Sequence, residues 1–253
     1  MIHTVKARSG LPYTVVWFPD VADVDAVARL RLPITVVRQA SAAFMRRYEQ
    51  PLLRRLRFCT AVADLTQSED RLMANMSKTC RASIRHGLRT PHVFEVLKPS
   101  ESPQGCALID EFNRRLYGQP VSAANWRLTE RHGVLTQIRV DGQLLAVNTH
   151  LFDGTARARA FYGATIPRQQ GHTPPRVVAD INRVLTWYDM TYFRSLGVRT
   201  YDAGGLFDDP DHPSAGVDRF KLAFGYARRY EYHALTSRYL LARRGLKLLA
   251  RDS

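Results

Sequence analysis

Lys221 is one of only five lysines among 37 basic residues, so arginine stands almost wherever a plain positive charge suffices. An ammonium on a flexible stem can give up a proton or shift its pKa where a guanidinium cannot. Lys221 therefore marks a position where a tunable charge is wanted, the alternative being a solvated helix lysine. Upstream, Asp202 ends the strand-like run Val198-Arg199-Thr200-Tyr201 and stands just before Gly204-Gly205. Glycine there tolerates positive φ or the close approach of another backbone, and a strand ending this way hands its carboxylate to a cleft. His150 lies on another strand-like run and is read two ways, as a catalytic base or as a structural histidine.

These side chains need elements to hold them. After the glycines comes a polar loop, Asp208 to Pro213, and then Ser214 as the cap of a short helix. The apolar positions of that helix are Val217, Phe220 and Phe224, and Gly225 stops it. Upstream, Val134–Val140, Gln143–Phe152 and Ala156–Gly163 are joined by Asp141-Gly142 and Asp153-Gly154. Both pairs predict type I′ turns and hence a three-stranded antiparallel meander, in which Leu144, Ala146, Asn148 and His150 share a face. A loop from Pro167 to Pro175 then leads into the longest helical run, Arg176–Ser195, closed by Gly197. A polar loop delivered to a helix N-terminus suits an anion held by the amides from Gln169 to Thr173, or is a plain helix entry.

The N-terminal stretch has an α/β rhythm: strands at Tyr13–Phe18, Ile34–Arg38 and Phe58–Leu65, helical segments at Val21–Leu30 and Ala42–Arg57. Thr66-Gln67-Ser68-Glu69 predicts a capping box at the start of one helix. Leu72, Met76, Cys80, Ile84 and Leu88 form its apolar stripe, flanked by a basic row of Lys78, Arg81, Arg85 and Arg89. That row is a solvated face or the lining of a phosphate path. Pro91–Leu97 reads as a strand, Cys106–Leu116 and Ala123–Arg131 as helices, and Tyr226–Leu235 as the last strand. Ser237 is placed to cap a basic amphipathic helix that packs on its own domain or touches an anionic membrane. The expected organisation is an α/β segment over 1–65, a catalytic domain over 66–236 and the basic helix over 237–253.

The 253 residues carry a formal charge of +14, which points to a phosphate-bearing partner or an anionic surface. Three widely spaced cysteines without a CxxC pair support neither a disulfide framework nor a zinc site, and no metal is expected. The N-terminus lacks the pattern of a signal peptide and no apolar run is long enough to span a bilayer, so a cytoplasmic protein is expected.

The order of meander, Arg168-x-x-Gly171 loop, long helix, strand, helix and strand resembles the GNAT acyltransferase superfamily, whose pyrophosphate loop reads Arg/Gln-x-x-Gly-x-Gly/Ala. Thr173 at the last place departs from that form. Asn75–Arg89, Tyr201-Asp202-Ala203-Gly204-Gly205 and Gly216–Gly225 are similar to the Fem-type branch, the peptidoglycan aminoacyltransferases, in which a DxGG strand end precedes a Phe-Lys helix. The resemblance covers about Thr66 to Leu235 and implies a GNAT-like, mostly antiparallel sheet flanked by helices. It implies an N-acyltransferase moving an acyl group from acyl-CoA to a primary amine of a small molecule or cell-envelope precursor. An aminoacyl-tRNA donor is the alternative, and a nucleic-acid-binding module on a transferase scaffold is the non-enzymatic one. By the same resemblance Lys221 positions or charges the reacting carbonyl, and Asp202 orients or deprotonates the amine, with His150 and Asp218 in reserve. Arg168, Gln169, Gly171 and Thr173 hold the donor's pyrophosphate, Gly204 and Gly205 leave room for it, and Phe220 belongs to the same donor-binding set.

Overall fold

The computed structural model describes residues 2–8, 11–30, 35–48, 53–154, 156–167, 173–207, 209, 211 and 215–236. Its elements begin with β1 (Ile2–Arg8), β2 (Leu11–Trp17), α1 (Val24–Ala28), β3 (Thr35–Ala40), α2 (Ala42–Arg47) and β4 (Leu53–Asp64). Next come α3 (Glu69–Asn75), α4 (Lys78–Gly87), β5 (Val93–Leu97), α5 (Pro103–Tyr117) and α6 (Ala123–His132). The chain continues with β6 (Gly133–Val140), β7 (Gln143–Phe152), β8 (Arg157–Thr165), α7 (Pro175–Ser195), β9 (Thr200–Gly205), α8 (Ala215–Leu222) and β10 (Ala227–Thr236). The described residues fall into two compact units, one of residues up to Thr60 with those from Arg229 onward, the other Ala61–Arg228.

In the first unit β1 and β2 form a hairpin, β3 joins β2 in parallel, and β10 pairs antiparallel with β3. Val16, Val37 and Ala234 of these strands close a core with Val27 of α1 and Phe44 and Met45 of α2. The helix expected over Ala42–Arg57 stops at Arg47, and β4 begins at Leu53. Pro51 cannot donate into a helix, and from Arg55 onward half-buried Leu56 and Phe58 alternate with exposed Arg55 and Arg57, the period of a strand.

The second unit carries the strand order β4-β9-β8-β7-β6-β5, antiparallel from β5 to β8 and parallel between β8 and β9. On one face Ile181, Val184 and Leu185 of α7 pack on Ile138, Leu145 and Ala146. On the other, Ile109 of α5 and the partly buried Trp126 of α6 pack with Leu135, Val147 and Ala164. The layers are thus helix, sheet, helix.

Three local expectations need correction. Asp141 and Gly142 have φ of 49° and 76°, as a type I′ turn requires, but of the second pair only Gly154 is positive, at 92°. There the Asp153 carboxylate accepts from the Arg157 amide at 2.7 Å, which builds a wider loop. The cap of α3 is Ser68, which accepts from the Arg71 amide, while the Thr66 hydroxyl is bound to Asp64 at 2.7 Å. Finally, the expected single helix breaks at Ser77, which caps α4 by accepting from the Cys80 amide at 3.2 Å. Leu72, Met76, Cys80 and Ile84 are buried as the stripe predicts, but Leu88 lies past the helix end and is exposed.

Candidate active site

Strands β8 and β9 pair only from Arg157↔Thr200 to Arg159↔Asp202, although β8 continues to Thr165 and β9 to Gly205. A fork therefore opens between them just past Arg159 and Asp202. The sequence expectation ended the strand at Asp202; the strand instead runs on through Gly205 and Asp202 lies within it, fully buried. Its carboxylate accepts from Arg157 Nη2 and, at 2.8 Å, from the Gly204 amide. Arg157 is itself buried, so the pair is a desolvated ion pair that fixes the mouth of the fork.

Lys221 enters this fork from α8, its Nζ donating to the Gly205 carbonyl at 2.6 Å. Burial first and then the Arg159 charge lower its pKa, against Asp202 and Asp218, which raise it, and the balance leaves it at about 8. It is not a solvated surface lysine. Gly204 has φ of 86°, and a Cβ built there would stand 3.5 Å from Ala160 O, 3.6 Å from Lys221 Nζ and 3.9 Å from Arg159 Nη2. The missing side chain leaves a methyl-sized space bordered by two cations and a carbonyl.

Helix α8 is fixed at its far end. Gly225 has φ of 74°, and a Cβ there would fall 2.2 Å from Asn75 O, while the Ser77 amide donates to Ala223 O at 2.9 Å. Phe224 is buried against Tyr226, their rings 5.5 Å apart and nearly parallel. Val217, expected on the apolar stripe, is 47% exposed. Asp218 is buried and accepts from the Phe207 amide at 2.8 Å, which ties the loop after β9 to α8.

His150 belongs to a different cluster. Its Nε2 lies 3.2 Å from Tyr201 Oη and 3.4 Å from Asp189 Oδ2, and all three residues are buried. Asp189 also accepts from the Thr136 hydroxyl at 2.6 Å and from Asn148 Nδ2 at 2.7 Å. Asn148 and His150 thus share the face turned to α7, as strand alternation predicts. Burial first, then the Asp189 charge, raises the Tyr201 pKa well above its ordinary value. The network ties β6, β7 and β9 to α7 beneath the fork. Burial also pushes the Cys80 and Cys106 thiols up to about 11, so neither is a thiolate at neutral pH.

A cleft of about 310 Å³ lies between α7 and α8, lined by Thr165, Asn182, Arg183, Gly216, Arg219 and Phe220 among others. Arg183 donates to Ala179 O at 3.1 Å, and its guanidinium lies 5.5 Å from the Phe220 ring centre. Arg168, Gln169 and Gly171, and the expected C-terminal helix, lie outside the described residues. Thr173 donates to Gln143 Oε1 at 3.1 Å. In the basic row, Arg81 is bound to Ala74 O and Met76 O, closing the end of α3, whereas Lys78, Arg85 and Arg89 are exposed.

The structure thus brings Lys221, Asp202, Asp218, Gly204 and Gly205 together, places Phe220 on the adjoining cleft, and holds His150 apart with Asp189. Arg157, Arg159, Asp189 and Arg183 escaped the sequence reading. Asp189 had a signal, a carboxylate four residues past Leu185 on the apolar stripe of a helix, as did Arg157 and Arg159, two arginines sharing one face of a strand-like run.

No family model matches the sequence, and no curated protein matches it. Solved structures do match in fold. FemX aligns with a TM-score of 0.67 at 13% identity, covering 91% of this chain and 82% of that one. L-PGS from Bacillus licheniformis aligns at 0.55 and 12%, covering 92% and 82%. The C-terminal DUF2156 domain of a protein named as a lysylphosphatidylglycerol synthetase, from Agrobacterium fabrum, aligns at 0.59 and 16%, covering 97% and 84%. The chain shares its fold with FemX and with these two proteins.

Proposed function

We propose that this chain is an N-acyltransferase of the GNAT type, moving an acyl group from acyl-CoA to a primary amine of a small molecule or cell-envelope precursor in the cytoplasm. The observation that carries it is Lys221, a lysine half-buried in a fork between two parallel strands, its ammonium 2.6 Å from the Gly205 carbonyl. Amide formation needs a neutral amine, a place for its proton and donors for the oxygen that becomes negative. Lys221 supplies the donor. In this account the arm of the donor lies in the cleft of Phe220 and Arg183, its phosphates meet Arg168 and the amides from Gln169 to Thr173, and its carbonyl reaches the fork.

An aminoacyl-tRNA donor is the second reading, favoured by exposed Lys78, Arg85 and Arg89 and by the name of a fold neighbour that makes an aminoacyl product, lysylphosphatidylglycerol. Thermal denaturation with CoA or tRNA separates the two. CoA at a hundred times its Kd should raise the melting point by about 5–10 °C, and Arg168→Ala should remove most of that rise. If tRNA is the donor, its affinity should fall steeply with salt and vanish when Arg85 and Arg89 become Glu. A protein that neither ligand stabilises is not the transferase proposed.

A further inference from the structure

We propose that the turn between α5 and α6 is a membrane-docking tip, which seats on the surface of an anionic lipid bilayer. This contact is independent of the transfer reading. Leu108, Phe112 and Leu116 recur at the four-residue spacing of one helix face, and the first two are half-buried against the core of Ile109, Leu135 and Val147. The helix outruns that core by a turn. Leu116 is therefore 55% exposed, and Tyr117 beside it, at 67%, is the most exposed large apolar side chain among the described residues. Every residue from Arg114 to Pro120 is exposed. An aliphatic side chain and a tyrosine at such a tip suit the boundary between lipid headgroups and acyl chains, where the tyrosine ring is buried and its hydroxyl stays wet.

Charge selects the lipid. The acidic residues of α5 and α6 are Asp110, Glu111 and Glu130, and each is engaged. Glu111 accepts from Arg115 at 3.1 Å, Asp110 from the Val121 amide at 3.0 Å and from Trp126 Nε1 at 3.2 Å, and Glu130 from the Ser100 hydroxyl at 2.9 Å. Arg114 and Arg127 are exposed, and among the described residues neither guanidinium is held by a hydrogen bond or an ion pair. The apolar pair thus stands beside two positive charges that no carboxylate offsets. Arginines alone would suit RNA phosphates, but an exposed leucine gains nothing there. A second copy of this chain would need about 800 Å² from each partner, far more than two side chains offer. The tip also adjoins the fork: Asn125 of α6 donates to the Tyr162 hydroxyl of β8 at 2.7 Å, and the charges of Tyr117 and Arg159 both act on that hydroxyl.

Sedimentation with vesicles of phosphatidylcholine alone, and of phosphatidylcholine and phosphatidylglycerol in equal parts, tests the tip. The parent should bind the mixed vesicles and leave the neutral ones. Leu116→Ser combined with Tyr117→Ser should weaken that binding about tenfold or more. Arg114→Gln and Arg127→Gln should each weaken it about fivefold. Val93→Ser, at an apolar residue of β5 that is 58% exposed, should leave it unchanged. All of these positions are exposed, so each variant should melt within a few degrees of the parent. A parent that stays in solution with the mixed vesicles, or a Leu116→Ser, Tyr117→Ser variant that binds them as the parent does, overturns the proposal. A dimer that this variant breaks, or tRNA that it releases, would give the tip to another occupant and overturn it as well.

Discussion

Lys221→Met should melt within a few degrees of the parent while its turnover falls by about 10²–10³, the scale for losing one donor to a developing oxyanion. Methionine keeps most of the stem and its packing, and the charge it removes is one that burial already disfavours. α8 remains anchored by Phe224 and by the close approach of Gly225 to Asn75, neither of which involves the ammonium. Lys221→Arg should lose turnover too, because a planar guanidinium does not reach the same point over Gly204. Turnover assays beside thermal melts check both variants. Near-parental turnover in Lys221→Met would leave the lysine with a structural role only.

Arg157→Met should destabilise the protein by about 3–5 kcal/mol in urea unfolding, because it strands the charge of Asp202 in the interior. Asp202 is fully buried, and of its two named donors only the Gly204 amide would remain. Adding Asp202→Leu to Arg157→Met should recover part of the loss, since two apolar groups replace a charge without its partner. Recovery stays incomplete because the Gly204 amide then loses its acceptor, at about 1–3 kcal/mol. A single variant as mild as an ordinary surface substitution would mean that the pair does not hold the fork.

The meander and the long helix were legible because their signals are local: Asp141-Gly142 sets both φ values, and the spacing of Ile181, Val184 and Leu185 sets the buried face of α7. Lys221 was legible through scarcity, one lysine where arginine prevails. Its depressed pKa was not, because it comes from β8 and β9 closing around the ammonium, a contact between residues far apart in sequence. Asp202 shows the limit from the other side. Two glycines after it read as a strand end, yet β9 continues through them, and the carboxylate that seemed offered to a cleft is held by Arg157, 45 residues earlier. The break at Ser77 was hidden by a four-residue apolar repeat that persists across it, since Met76 and Cys80 stay buried on both sides of the cap.

The most direct test of the central claim is the pH dependence of kcat/KM for amide formation, expressed per neutral amine, in the parent and in Lys221→Arg. Lys221 acts charged in this account and its pKa is lowered to about 8, so the charged fraction is full below that pH and falls about tenfold per unit above it. The parent profile should be flat at low pH and descend from about 8. Lys221→Arg, slower throughout, should stay flat to the highest pH the fold tolerates, because a guanidinium keeps its proton. A parent profile that rises through pH 8, or a descending limb that is unchanged in Lys221→Arg, would contradict the assignment of Lys221 as the charge that meets the reacting carbonyl.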